Sequence, residues 1–331
     1  MKNLKTASFM WGLLLLTAGP LCAKTAGGDG WTSDFEGAKT QARAEGKDLL
    51  LDFTGSDWCG WCIKLRKEVF DTEVFKDTIH DDFILVEVDF PRDQSLVTEE
   101  VRAQNAALQK EYSIPGYPTI FLTDAEGRPY AQTGYQQGGP EKYLEHLETF
   151  RKAKEERDGL LKRAEEAIGV ERAKLLDQAL EITEPGLIMP YYADLVDEII
   201  ELDADGEAGL KQKYSALLAQ HEIQAVCAGL EQEFQKLANQ GQWDEVIAHL
   251  EAAVLKHEGS NTVAHHAHFF KAIALLEKKE FDQALAALDA SEQAEPEGRF
   301  VQVLPKIREA VEKQRAAPDD DTDDDGGDGG N

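Results

Sequence analysis

Cysteine is scarce in this chain. Only Cys22, Cys59, Cys62 and Cys227 occur among 331 residues. So few cannot build the multi-bridge framework that staples small exported scaffolds. They also cannot close a structural zinc site, which takes four Cys or His ligands. There is no second C-x-x-C, and the histidine nearest to Cys59 and Cys62 is His80. No metal site is expected. Basic residues are short as well: 35 Lys and Arg against 63 Asp and Glu, a formal net charge of −28. A nucleic-acid partner needs a basic footprint, and an anionic lipid surface would repel such a chain, so neither is expected. Beyond the first two dozen residues there is no apolar run of the roughly 20 residues that a membrane-spanning helix needs.

The beginning of the chain has its own pattern. Lys2 and Lys5 precede the apolar stretch from Phe9 to Ala18, and Leu21-Cys22-Ala23 fits a processing site. This reads as a signal peptide over 1–23, cleaved after Ala23, with 24–30 as a linker; an uncleaved N-terminal anchor is the other reading. Gly19-Pro20-Leu21 lacks the small residue a lipobox places before its cysteine. The expectation is an exported protein, periplasmic or secreted. Removing two lysines and no acid leaves 33 basic and 63 acidic residues, net −30, and three cysteines.

Two of those three stand in Trp58-Cys59-Gly60-Trp61-Cys62. A purely structural disulfide closing so small a loop would stabilise little, which leaves a dithiol that cycles between reduced and oxidised forms. Before the motif, Leu49 to Phe53 is a short apolar run of the kind that forms a buried strand. After it, Ile63, Leu65, Val69 and Phe70 recur at helical spacing. The cysteines therefore fall where a strand ends and a helix begins. Free N–H groups and the positive end of the helix dipole stabilise a thiolate there. Cys59 is expected to be the more exposed nucleophile of low pKa, and Cys62 the more buried resolving thiol.

A second motif follows: Tyr117-Pro118-Thr119, then the apolar run Ile120-Phe121-Leu122, a turn from Asp124 to Gly127, and a further strand. Strand, W-C-G-W-C, helix and this proline-led strand together resemble the thioredoxin superfamily over residues 31–152. The resemblance implies an α/β domain with a central mixed sheet flanked by helices, and a Pro118 peptide in the cis form facing the dithiol. Trp58, Trp61, Tyr117, Pro118 and Thr119 would then hold an extended substrate. It also implies no cofactor beyond the Cys59–Cys62 disulfide, protein thiols and disulfides as substrates, and a redox partner that recycles the dithiol. Asp52 matches the buried aspartate that takes a proton from the resolving cysteine. It stands seven residues before Cys59, one more than in thioredoxin, and a strand-end carboxylate facing water is the alternative. Trp58 is expected to pack beside the motif, and Trp61 either faces a substrate or packs locally. Trp61 replaces the proline of thioredoxin. Pro118 follows Cys62 by 56 residues, a long separation that residues 90–112 fill with extra helical material.

From 153 to 316 the texture turns helical. The segments 175–182, 242–254 and 280–291 resemble one another, with Asp177, Asp244 and Asp282 aligned at spacings of 67 and 38. Trp243 and Phe281 precede the last two acids, Ala284 and Ala287 supply small contacts, and Pro296 follows. This is similar to degenerate tetratricopeptide-type hairpins, whose period is about 34 residues. Such pairs stack into surfaces that bind a peptide or protein, or they only form a core. Cys227 is expected to be a buried small hydrophobe. His265, His266 and His268 cannot all share one helix face, so they are not expected to hold a metal. The tail, 317–331, is acidic and disordered by composition. Its Asp321, Asp323, Asp325 and Gly326 open a calcium loop whose closing glutamate is missing. Two functions stand side by side: an exported thiol–disulfide oxidoreductase of open direction, or a non-catalytic chaperone or scaffold working through the helical part.

Overall fold

The structure is a computed structural model that describes residues 30–316. The expected signal peptide and its cleavage site, nearly all of the linker, and the acidic tail with its partial calcium loop lie outside the described residues. The described part divides into two compact units, the first ending at Ala204 and the second starting at Asp205.

The first unit begins with β1 (Trp31–Thr32), α1 (Phe35–Glu45) and β2 (Asp48–Thr54). The Asp34 side chain caps α1 by accepting from the Gly37 N–H at 2.9 Å, and Gly46, at φ 68°, closes it. Next come α2 (Gly60–Leu65), a π-helical turn over Arg66–Phe70 that continues it, α3 (Glu73–Ile79) and β3 (Phe83–Asp89). After a short 3-10 turn, α4 (Glu99–Glu111), β4 (Thr119–Thr123) and β5 (Pro129–Thr133) complete the sheet region. The helical material expected between 90 and 112 is α4 and that short turn.

The five strands lie in the order β1-β3-β2-β4-β5. β2 pairs parallel with β3 and antiparallel with β4, so the sheet is mixed, as the fold class requires. Both β2 and β3 are buried along nearly their whole length, which explains their unbroken apolar runs. Alternation along β2 sends Leu50 and Asp52 to one face and Leu51 and Phe53 to the other. On the Leu50 face the core comprises Trp31, Leu65, Phe70, Phe75, Ile120 and Tyr143, among others. On the opposite face Phe53 meets Tyr112 and Phe121 at ring separations of 5.5 and 6.0 Å.

Three helices follow: α5 (Gly139–Glu166), α6 (Gly169–Ile182) and α7 (Pro185–Leu202). The division read from composition at 152/153 falls inside α5, and α6 and α7 belong to the unit that holds the sheet. Tyr192 shows why. It is buried near the Pro190 kink of α7, accepts from Arg157 Nη1 at 2.6 Å and donates to the Pro129 carbonyl of β5 at 2.8 Å. Arg128 adds a bond to the Tyr191 carbonyl and an ion pair to Asp194. Composition changes where strands stop, whereas a compact unit ends where such contacts stop.

The second unit consists of α8 (Leu210–Ala238), α9 (Trp243–Lys256), α10 (Asn261–Glu277), α11 (Phe281–Ala294) and α12 (Leu304–Ala316). Two of its turns repeat 38 residues apart. The Gln242 N–H bonds to the Leu237 carbonyl and the Glu280 N–H to the Leu275 carbonyl. Gly241 and Lys279 both hold positive φ, 69° and 60°. Trp243 and Phe281 then open α9 and α11, with Asp244 and Asp282 second. Asp177 is the ninth residue of α6, in the first unit, so the three-way alignment does not carry into the structure. Cys227 is buried and unpaired as a thiol, and burial pushes its pKa up. His265 is fully buried: its Nδ1 donates to the Ser291 carbonyl at 2.9 Å and its Nε2 accepts the Phe300 N–H at 3.1 Å. Among the described residues no group of three Cys, His, Asp or Glu is placed to hold a metal, and no helix is long and apolar enough to cross a membrane.

The repeated turn makes a prediction. A left-handed conformation strains any residue with a Cβ, at about 1–2 kcal/mol. Part of that is offset by the unfolded-chain entropy that glycine adds, about 0.4–1 kcal/mol. Gly241→Ala is therefore expected to lower unfolding stability by about 1 kcal/mol, and Lys279→Gly to raise it by about 0.5 kcal/mol. Urea unfolding of the full chain checks both; changes of the same sign would refute the shared turn geometry.

Candidate active site

The loop that carries the cysteines is tied to the end of β3. The Ser56 N–H and hydroxyl both donate to the Asp89 carboxylate, at 2.9 and 2.5 Å. The Asp57 carboxylate accepts the Arg92 and Asp93 N–H groups at 2.9 Å each, and these bonds hold its pKa below the usual carboxylate value. The Trp58 indole donates to the Phe90 carbonyl at 2.8 Å. Its ring lies over Gly55, where a Cβ would come within 2.5 Å of a ring atom, so glycine is required there.

Cys59 caps α2, and its Sγ accepts the Cys62 N–H at 3.2 Å. The two cysteines are joined in a disulfide, their Cα atoms 5.2 Å apart. Cys59 is 6% exposed and Cys62 4%. The marked contrast in exposure expected from sequence is absent in this oxidised form, because the bond places both sulfurs together at the head of one helix.

Asp52 lies on the face of the sheet that α2 covers and is 2% exposed, which rules out the reading of a carboxylate facing water. Its Oδ1 has no hydrogen-bond partner among the described residues. Burial pushes its pKa up to about 8; the charge of Arg66 opposes that rise, while those of Glu87 and Asp89 add to it. Glu87 is the register partner of Asp52 on β3. It forms an ion pair with Arg66, and burial raises its own pKa.

Aromatic side chains flank the disulfide on two sides. Trp58, 37% exposed, meets Tyr117 edge to face at 5.7 Å, and Tyr117 also meets Phe90 at 5.4 Å. Arg92 stands over the Trp58 ring at 5.4 Å. The Trp58–Tyr117 contact brings the residue before Pro118 beside the residue before Cys59, and the Tyr117–Pro118 peptide is cis. Trp61 is the most open member, 58% exposed, and packs on Tyr135 at 5.2 Å with Lys64 over both rings. Thr119 is buried on β4, with its hydroxyl donating to the Gly116 carbonyl at 2.8 Å. It supports the turn before β4 and does not present its hydroxyl to the rim.

Sequence reading singled out the cysteines, Asp52, the two tryptophans and the proline strand, and the structure brings them to one end of the sheet. It missed Arg66, Glu87, Asp89 and Tyr135. Acids inside the apolar run Phe83–Asp89 were the available signal, since a charge in a buried strand needs a partner.

A thiol pair at the head of a helix, over a mixed sheet and beside a cis proline, defines a redox protein of the thioredoxin class. The thioredoxin-like domain family matches residues 35–151. The disulfide bond reductase DsbH of Chlamydia pneumoniae is 34% identical over 153 residues, 42% of this chain and 90% of that protein. The thioredoxin-related protein DsbJ of the same organism is 34% identical over 104 residues, 31% of this chain and 30% of that protein. The thiol:disulfide interchange protein DsbD of Vibrio cholerae serotype O1 is 30% identical over 118 residues, 35% of this chain and only 18% of that protein. The chain belongs to this thioredoxin-like family and is a thiol–disulfide oxidoreductase.

Asp52 carries a pH signature in stability. Its folded value of about 8 lies above the unfolded value of about 4. The folded chain therefore keeps a proton that the unfolded chain releases. This stabilising contribution is complete below about pH 4 and is lost as pH rises to about 8. The oxidised Asp52→Asn protein is expected to match the parent near pH 4 and to exceed it by a few kcal/mol, as an order of magnitude, at pH 8. Urea unfolding across that range checks it; parallel stability profiles would exclude a buried, proton-holding Asp52.

Proposed function

We propose that this chain is an exported protein-disulfide reductase in which Cys59 is the nucleophile, Cys62 the resolving thiol and Asp52 the proton carrier. The observation that carries the reading is the Cys59–Cys62 disulfide at the head of α2, with the Cys59 Sγ accepting the Cys62 N–H, on a helix that covers the sheet face where Asp52 is buried. The direction rests on the likeness to the reductase DsbH, nearly all of which this chain covers. Export rests on the signal-peptide pattern of residues 1–23.

In the reduced protein the Cys59 thiolate attacks a substrate disulfide and expels one substrate sulfur as thiolate. The Cys62 thiol passes its proton to the Asp52 carboxylate. The Cys62 thiolate then attacks Cys59 Sγ and expels the second substrate sulfur. Two electrons have moved to the substrate, which takes up two protons, and the Cys59–Cys62 disulfide remains. A partner dithiol reverses these steps and restores the thiols, and protonated Asp52 returns its proton to Cys62. Trp58, Trp61, Tyr117 and Pro118 frame an extended substrate segment, which pairs with the backbone beside Pro118; Thr119 fixes that turn from beneath.

We read residues 31–152 as the catalytic domain. The later helices, with their repeated Leu237–Gln242 and Leu275–Glu280 turns, form a tetratricopeptide-like region that docks a peptide or protein partner.

Equilibrated with defined thiol buffers, the Cys59/Cys62 pair is expected to sit near about −270 mV rather than about −120 mV. Reduced Cys62→Ser should trap a mixed disulfide with insulin through Cys59, and Cys59→Ser should trap none. A potential near the oxidising end refutes the direction, and failure of Cys62→Ser to trap insulin refutes the catalytic assignment.

A further inference from the structure

Asp52 is the most deeply buried carboxyl near the disulfide, and its surroundings are asymmetric. On the β4 side its register partner is Ile120, which is apolar. On the β3 side the partner is Glu87, with Asp89 two residues on. Arg66 reaches that side from the helical turn after α2. It follows Cys62 by four residues, and its N–H bonds the Cys62 carbonyl, so the two stand on one helix face a turn apart. From α5 the buried phenol of Tyr143 also faces Asp52; burial raises its pKa well above the ordinary phenol value. Asp71 lies 4.0 Å from Arg66 on the outer side of the pair. The Arg66 guanidinium stands over the Trp31 ring at 5.5 Å, which fixes its approach.

We propose that Arg66 and Glu87 are positioning residues for the exchange reaction: as an ion pair between the resolving cysteine's helix and the strand beside Asp52, they set the charge that Asp52 faces when it takes or returns the Cys62 proton. The inference rests on the reading of Asp52 as proton carrier. Two opposite charges side by side nearly cancel at Asp52, which leaves burial to govern it. Removing either one exposes Asp52 to the other. Glu87→Gln leaves the Arg66 cation, which favours the carboxylate. Arg66→Met leaves Glu87 and Asp89, which favour the protonated acid. The pair also couples the site's two halves, since Arg66 belongs to the Cys62 helix while Glu87 is anchored in the sheet.

The test follows the Asp52 side-chain carboxyl by carbon NMR across pH in the full-length oxidised protein, with Asp52→Asn assigning the signal. In parallel, the rate of mixed-disulfide resolution is measured against pH. Glu87→Gln is expected to weaken the proton affinity of Asp52 by about tenfold and Arg66→Met to strengthen it by about tenfold. The double variant returns close to the parent, and Arg66→Lys, which keeps the charge, stays close to it throughout. The rate profile should move with the carboxyl in each case. Shifts of the same sign, or none, overturn the proposal, because packing damage alone gives no opposite pair and no return in the double variant. The two readings fail separately. A parent-like rate profile in Asp52→Asn removes Asp52 as proton carrier. An altered profile there, with Glu87→Gln and Arg66→Met both silent, removes only the positioning role of the pair.

Discussion

The desolvation of one carboxyl organises this protein. Asp52 stands in the middle of β2, flanked by a parallel and an antiparallel neighbour, on the face that α2 covers. It is almost wholly buried, so its charged form is penalised and its pKa rises to about 8. Such a group holds a proton where an ordinary aspartate has lost it. The same end of the sheet holds a helix head that presents two sulfurs, an arginine–glutamate pair on the neighbouring strand, and an aromatic rim.

The rim itself depends on contacts that hold the loop still. Asp89 and Asp57 take four donors between them from Ser56, Arg92 and Asp93. Trp58 closes over Gly55 and touches Tyr117. The position of Cys59 therefore follows from the end of β3 as much as from its own strand and helix.

The helical second unit follows different physics. Each of its turns is local, and the recurrence of one geometry 38 residues apart reflects similar short segments solving the same chain-reversal problem. One solution uses Gly241 and the other tolerates strain at Lys279. His265 shows a polar side chain spent wholly on structure, joining α10 to the Ser291 carbonyl and the Phe300 N–H. It illustrates why a histidine-rich run is a poor guide to metal binding.

The sequence alone placed the cysteines at a strand–helix junction, because a short apolar run followed by helical spacing encodes local geometry directly. The apolar run from Ile120 to Leu122 marked a strand for the same reason, and the resemblance to the thioredoxin superfamily singled out Asp52 and the proline before that strand. The sequence left undecided whether Asp52 was buried, since that depends on what covers β2. Only the tertiary structure paired Glu87 with Asp52, brought Arg66 across 21 residues to meet Glu87 and joined Ser56 to Asp89 across 33. Only it drew α6 and α7 into the first unit and put Asp177 out of phase with Asp244 and Asp282. Periodicity states which face of an element is apolar; which other element covers that face, and which charges are thereby brought together out of water, is settled by packing.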